Sequence, residues 1–253
     1  MSSAATASPN SPRPSARAAK LANAKPPPSI AENLEKLFSH LRGRTDLAQA
    51  VVEAGGKVYY VTHPASADAL FDEEEFEKDE SIPYWADLWP SAMALARLLS
   101  DMDLTGKRAI ELGCGVGLPS VVARERGAEV IATDHYRGAL DFASHNAKTN
   151  VGREVSTALL DWREPNLDGL GTFDLVLAAD VLYERRNVPW LVEIVPELLV
   201  PKGELLIADP RRPGAAMFVE EMEKKGFDCS SVEETVRQGA AEIKVSIHAI
   251  SRE

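Results

Sequence analysis

The stretch Ala109-Ile110-Glu111-Leu112-Gly113-Cys114-Gly115-Val116-Gly117 constrains the fold more than any other part of the chain. An apolar strand ends in an acid, glycines follow at alternate positions, and a helix starts directly after them. Glycines here let the main chain approach a ligand closely and enter a left-handed turn. Such a unit belongs in a sheet whose ligand sits beyond the carboxyl ends of the strands. The chain continues in the same way. Strand-like runs at 108–112, 130–133, 157–160, 173–179 and 204–208 alternate with helical stretches at 118–126, 137–149 and 187–200. Further helices fit 91–102 and 213–225. The alternation predicts an α/β fold with a doubly wound, mostly parallel sheet. Two runs at 230–237 and 243–250, joined near Gln238-Gly239, predict a closing antiparallel pair. Asn187 is predicted to cap its helix, and Pro196 to kink that helix or end it early.

The spacing G-x-G-x-G differs from the G-x-G-x-x-G dinucleotide fingerprint, and no Gly-Lys-Ser/Thr of a phosphate loop follows it. Glu111, just before the first glycine, would repel a phosphate and suits a cationic ligand. The next strand ends at Asp134, placed to accept both hydroxyls of a ribose. The third ends at Asp161-Trp162, an acid and an aromatic face suited to an adenine. Three successive strand tips thus describe a ligand with a ribose, an adenine and a positive centre, and no phosphate. S-adenosylmethionine fits that description.

Charge narrows the partners. Twenty-eight basic against 39 acidic residues give −11. This argues against a general nucleic-acid binder, which grips phosphates with cationic surface. Residues 1–29 carry Arg13, Arg17, Lys20 and Lys25 and no acid, so the remainder carries 24 − 39 = −15. Rich in Ala, Ser and Pro, this stretch lacks the apolar surface to fold alone and reads as a disordered, solvated tail. Its composition also matches an organelle transit peptide, against which its six prolines count. The expected location is cytoplasmic, with a mitochondrion or other organelle as the alternative. Residues 30–90 read as a helix with apolar positions from Ile30 to Leu41, a hairpin around Gly55-Gly56, and an acidic run. That run, 72–80, holds seven acids and one lysine. It is either a solvated face or a patch that attracts a basic partner. No apolar run reaches the ~18 residues needed to cross a bilayer. Cys114 and Cys229 form no CxxC pair, and the five histidines show no metal spacing, so no metal is expected. Nothing in the sequence reports oligomeric state.

The motifs ELGCGVG, TDHY, LDW and ADVLY together resemble a class I, seven-strand S-adenosylmethionine-dependent methyltransferase, with a Rossmann-like domain over 91–253. Pro83-Tyr84-Trp85-Ala86, Leu88-Trp89-Pro90 and Asp180-Val181-Leu182-Tyr183 narrow the resemblance to the family-16 methyltransferases, which include many protein-lysine methyltransferases. Ala208-Asp209-Pro210 with Arg212-Pro213 is similar to the branch containing the electron transfer flavoprotein β-subunit lysine methyltransferase. The resemblance implies a cofactor-contacting loop of Gly113, Cys114 and Gly115, and Glu111 and Gly117 at its two ends are expected to bind the cofactor with it. It implies Asp134 on the ribose, Trp162 against the adenine and Asp161 on its amine. Trp89 would pack near the methionine end, and Ala179 would present main chain beside it. Asp180 and Tyr183 would be the catalytic pair on the methyl-accepting side. His135 follows the ribose acid and could touch the adenine, or stand as a loop residue.

A sulfonium methyl is already activated, so such an enzyme aligns the acceptor with the S–CH₃ bond and excludes water. A lysine acceptor must be neutral, although its free pKa is ~10.4. A desolvated aromatic slot of Tyr84, Trp85, Trp89 and Tyr183 would lower that value. Asp180 as a carboxylate favours ammonium, so its expected role is to orient the amine or to capture the charged lysine before proton loss. Adenine-N6 nucleic-acid enzymes carry Asn/Asp-Pro-Pro-Tyr/Phe where this chain has Asp180-Val181-Leu182-Tyr183. The expected function is N-methylation of a protein lysine. A small-molecule, nicotinamide-like N-methyltransferase and a non-catalytic cofactor-binding module stand as the alternatives.

Overall fold

The structure is a computed structural model that describes residues 34–73, 77 and 82–252. The basic tail, the start of the helix expected from Ile30 and most of the acidic run lie outside the described residues. The chain begins with helix α1 (Leu34–Leu41) and the hairpin β1 (Leu47–Ala54) and β2 (Lys57–Pro64). It continues with α2 (Pro90–Ser100), β3 (Arg108–Leu112), α3 (Leu118–Glu125), β4 (Glu129–Asp134), α4 (Arg137–Val151) and β5 (Ser156–Leu159). It closes with β6 (Phe173–Ala179), α5 (Asn187–Leu198), β7 (Leu199–Asp209), α6 (Pro213–Lys224), β8 (Asp228–Gln238) and β9 (Ala241–Ser251).

Seven strands form the main sheet in the order β5-β4-β3-β6-β7-β9-β8. The first five are parallel, while β9 runs antiparallel to both β7 and β8. Successive strands leave β3 in opposite directions, which opens a crevice between the tips of β3 and β6, where ligands of such sheets bind. The period of two sorts the core. Ala109, Leu175, Leu177, Leu206 and Ala208 pack on one face with α2, α3, α4 and the hairpin. Their neighbours Ile110, Val176, Ala178, Leu205 and Ile207 pack on the other with α5 and α6. Both faces are covered, so these strands read as unbroken apolar runs.

The hairpin turns at Gly55 and Gly56, both at positive φ (55° and 74°). That is the turn whose twist matches antiparallel strands. The outer edge of β2 is closed by side chains of α4. Asn150 accepts from the Tyr60 N–H and donates to the Tyr60 carbonyl, both at 2.8 Å. Asn146 does the same for Thr62, at 2.8 and 2.9 Å. Two carboxamides one helical turn apart thus stand in for a neighbouring strand.

Three details differ from the sequence reading. Strand β7 starts at Leu199, directly after α5, and the register jumps from Phe173↔Leu199 to Leu175↔Glu204. The irregularity contains Lys202 at φ 64°, which broke the apolar pattern and hid the first half of the strand. Helix α5 ends at Leu198, two residues past Pro196 and two short of the stretch expected from the sequence. Asn187 makes no capping bond; its amide donates to the Val181 carbonyl at 2.9 Å, in the loop after β6.

Candidate active site

A cavity of about 440 Å³ opens beyond the carboxyl ends of β3 to β6. The glycine loop forms its floor. Gly113 and Gly115 line it at φ 68° and 51°. A Cβ on Gly113 would stand 3.1 Å from Val181 and 3.2 Å from the Trp162 ring; one on Gly115 would stand 3.1 Å from the Trp85 carbonyl. Only glycine lets the loop lie that close under its cover. Asp134, at the tip of β4, is buried and lines the cavity. It accepts the Gly115 N–H on one oxygen and the Tyr136 N–H on the other, each at 2.9 Å. Burial raises its pKa, and these two N–H bonds work against the rise.

Beside it lie Asp161 and Trp162. The Asp161 carboxylate is held by the Arg163 guanidinium, with Nη2 at 2.7 Å, and these bonds lower its pKa. His135 Nδ1 stands 3.5 Å from the same carboxylate. The Trp162 indole N–H is buried without a hydrogen-bond partner.

Aromatic side chains make up another part of the lining. Tyr84 meets Tyr183 edge to face at 5.0 Å and Trp89 at 6.0 Å. The Trp89 indole N–H donates to the Tyr84 carbonyl at 2.8 Å, fixing the Pro83–Asp87 segment to the start of α2. Burial raises the Tyr183 phenol above its ordinary range, and nearby Glu184 adds to this, so the group stays protonated. Ala179 and Asp180 end β6 in the cavity wall. Asp180 is buried at φ 58°, a left-handed conformation uncommon outside glycine. Its amide donates to the Ala208 carbonyl at 2.8 Å.

The sequence reading missed the partner of Asp180. Arg212 Nε donates to it at 2.6 Å, and Ser91 lies 3.5 Å from its other oxygen. The Arg212 main chain is held in turn by Asp209 at 2.5 Å. Asp209 is fully buried with one oxygen unpartnered, and burial pushes its pKa up to about 6. The Asp209-Pro210-Arg211-Arg212 run is the signal in the sequence that carries this pair.

Nine of the twelve expected site residues line this one cavity: Trp89, Gly113, Gly115, Asp134, Asp161, Trp162, Ala179, Asp180 and Tyr183. Glu111, Cys114 and Gly117 are not in its lining. Glu111 is buried behind the loop and accepts the Ser120 N–H and hydroxyl. Cys114 is buried, with its thiol turned to the carbonyl of its own loop. Gly117 sits at φ 81° against helix α4, where a Cβ would meet that of Ala143 at 2.5 Å.

The strand order, the antiparallel last pair and a ligand-sized cavity at the crevice between β3 and β6 define a class I methyltransferase fold. Magnesium protoporphyrin IX methyltransferase from Synechocystis PCC 6803, solved with bound S-adenosylmethionine, has this fold, with a TM-score of 0.50 and 19% identity over 62% of this chain and 76% of that one. The chain belongs to the lysine methyltransferase family, whose profile matches residues 71–225. The protein N-lysine methyltransferase METTL21A of Danio rerio is 40% identical over 119 residues, 44% of this chain and 54% of that protein. The electron transfer flavoprotein beta subunit lysine methyltransferase of Danio rerio is 33% identical over 136 residues, 51% of each. The chain thus spans about half the length of these two relatives.

Proposed function

We propose that the protein is an S-adenosylmethionine-dependent N-methyltransferase that modifies a lysine side chain of another protein. The observation that carries this reading is one cavity lined by two chemically distinct sets of groups. Asp134 and the glycines of the loop are one, and Asp180 with the aromatic cluster of Tyr84, Trp89 and Tyr183 is the other. The residues present fit the cofactor. Gly113 and Gly115 present bare main chain to the cavity at positive φ, where a side chain would be strained. The loop carries no cation that would seek a phosphate. Asp134 has already accepted two N–H groups and keeps lone pairs for ribose hydroxyls. In this reading Gly113 and Gly115 hold the amino-acid end, Asp134 the ribose and Trp162 the adenine face. When bound, the cofactor supplies an activated methyl on a sulfonium.

The chain's own residues then prepare the acceptor. An acceptor side chain seated among these rings would displace water from them, which favours the neutral amine. Asp180 alone would oppose this by holding ammonium. Arg212 at 2.6 Å offsets that charge, so Asp180 can orient the amine through a hydrogen bond without strongly raising its pKa. Family membership and the names of the two relatives support lysine as the acceptor. A net charge of −11 supports a basic protein partner, whose encounter would slow with added salt. The test is incubation with methyl-labelled cofactor and a cell lysate, with label resolved by size and mapped by mass spectrometry. Label on a protein lysine is the expected result. Label confined to small molecules would replace this reading with the nicotinamide-like one.

A further inference from the structure

The mechanism above does not use Asn146, yet this side chain is fully buried and touches the cofactor loop. Its carboxamide serves three main-chain groups. It accepts the Thr62 N–H at 2.8 Å, donates to the Thr62 carbonyl at 2.9 Å, and donates its second hydrogen to the Val116 carbonyl at 2.8 Å. Val116 lies between Gly115, which lines the cavity and is held by Asp134, and Gly117, which rests on Ala143 one turn earlier in α4. The loop is therefore fixed to one helix face by a glycine contact and one amide bond. Val116 is 3% exposed, so its carbonyl would lose that partner with little water to replace it.

Asn150 provides the internal comparison. It holds Tyr60 with the same pair of bonds, but its second hydrogen goes to the Asn146 carbonyl of its own helix. The two asparagines share the hairpin clamp and differ in the bond to the glycine loop. We infer that Asn146 is a positioning residue of the cofactor site, through which the seating of the N-terminal hairpin fixes the geometry of the glycine loop. The inference rests on the reading that this loop holds S-adenosylmethionine.

Titration calorimetry with S-adenosylhomocysteine on the full chain, alongside thermal melting, separates the possibilities. Asn146→Ala and Asn150→Ala should both lower the melting temperature, since each unlatches β2. Asn146→Ala should weaken binding about tenfold or more, the scale of a buried main-chain group left without its partner. Asn150→Ala should stay within about twofold of the wild type. Equal losses in both variants would make Asn146 a plain structural clamp, and an unchanged affinity in Asn146→Ala would overturn the inference outright. If the alanine variants do not fold, Asn146→Leu and Asn150→Leu, branched at the same carbon but with neither donor nor acceptor, are compared in the same way. A wild-type chain that binds no S-adenosylhomocysteine would instead overturn the cofactor reading, and this inference with it.

Discussion

Glu111 shows what a strand-end acid can conceal. From the sequence it faces the ligand; in the fold it shares the pleat side of Ala109, which packs with α3 and α4. There it meets the open N–H of Ser120, near the start of α3, and acts as a remote cap. Burial pushes its pKa up to about 8, so near neutral pH the folded protein holds a proton that the unfolded chain releases. A raised folded pKa on an acid makes stability fall as pH climbs from the ordinary carboxylate range towards about 8. Glu111→Gln should flatten that fall, and melting curves between pH 5 and 9 check it; parallel slopes would return Glu111 to the ionised form. Asp134, by contrast, was legible because a strand tip puts its side chain where the ligand must be. Asp134→Ala should weaken S-adenosylhomocysteine binding by about 1.5–3 kcal/mol, as measured by calorimetry. Asp180 was legible, but its ion pair was not, since Arg212 reaches it from another strand end, 32 residues away. Asp180→Asn should cut turnover on the order of 10²-fold while cofactor affinity moves by less than about 1 kcal/mol. Proportional losses in both would assign Asp180 to the cofactor shell.

Among the elements, those with a clean apolar period were readable to within a few residues, as β3 and β6 show. Strand β7 is legible in the sequence only from Glu204, because Pro201-Lys202-Gly203 looks like a turn, whereas it is an irregularity inside a longer strand. Gly117 was read as a ligand contact because glycines in a loop all look alike in sequence. What distinguishes it is a neighbour 26 positions away, since its missing Cβ is the space into which Ala143 of α4 fits. Gly117→Ala combines overlap at 2.5 Å with a left-handed φ of 81°. It should cost about 2 kcal/mol or more and lower the melting temperature by about 5 °C. A melting curve unchanged within a degree would show that the α3–α4 contact yields freely.

At the scale of the molecule, alternation of strands and helices announced a doubly wound sheet, and turn glycines announced both hairpins. The order β5-β4-β3-β6-β7-β9-β8 is not written in any local pattern, because order depends on which helix covers which face. Residues 1–29 carry no core signal, and their removal should leave melting temperature and cofactor affinity unchanged. A clear drop in either, in a truncated chain, would mean that they dock on the domain. The asparagine clamp has a consequence for what this lineage can vary. Asn146 and Asn150 read only main chain on β2, and main chain is common to every residue except proline. Position 60 can therefore change identity while its latch persists, so long as proline is barred. The two asparagines have no substitute of the same reach, so drift should collect on the hairpin and leave the helix that grips it unchanged.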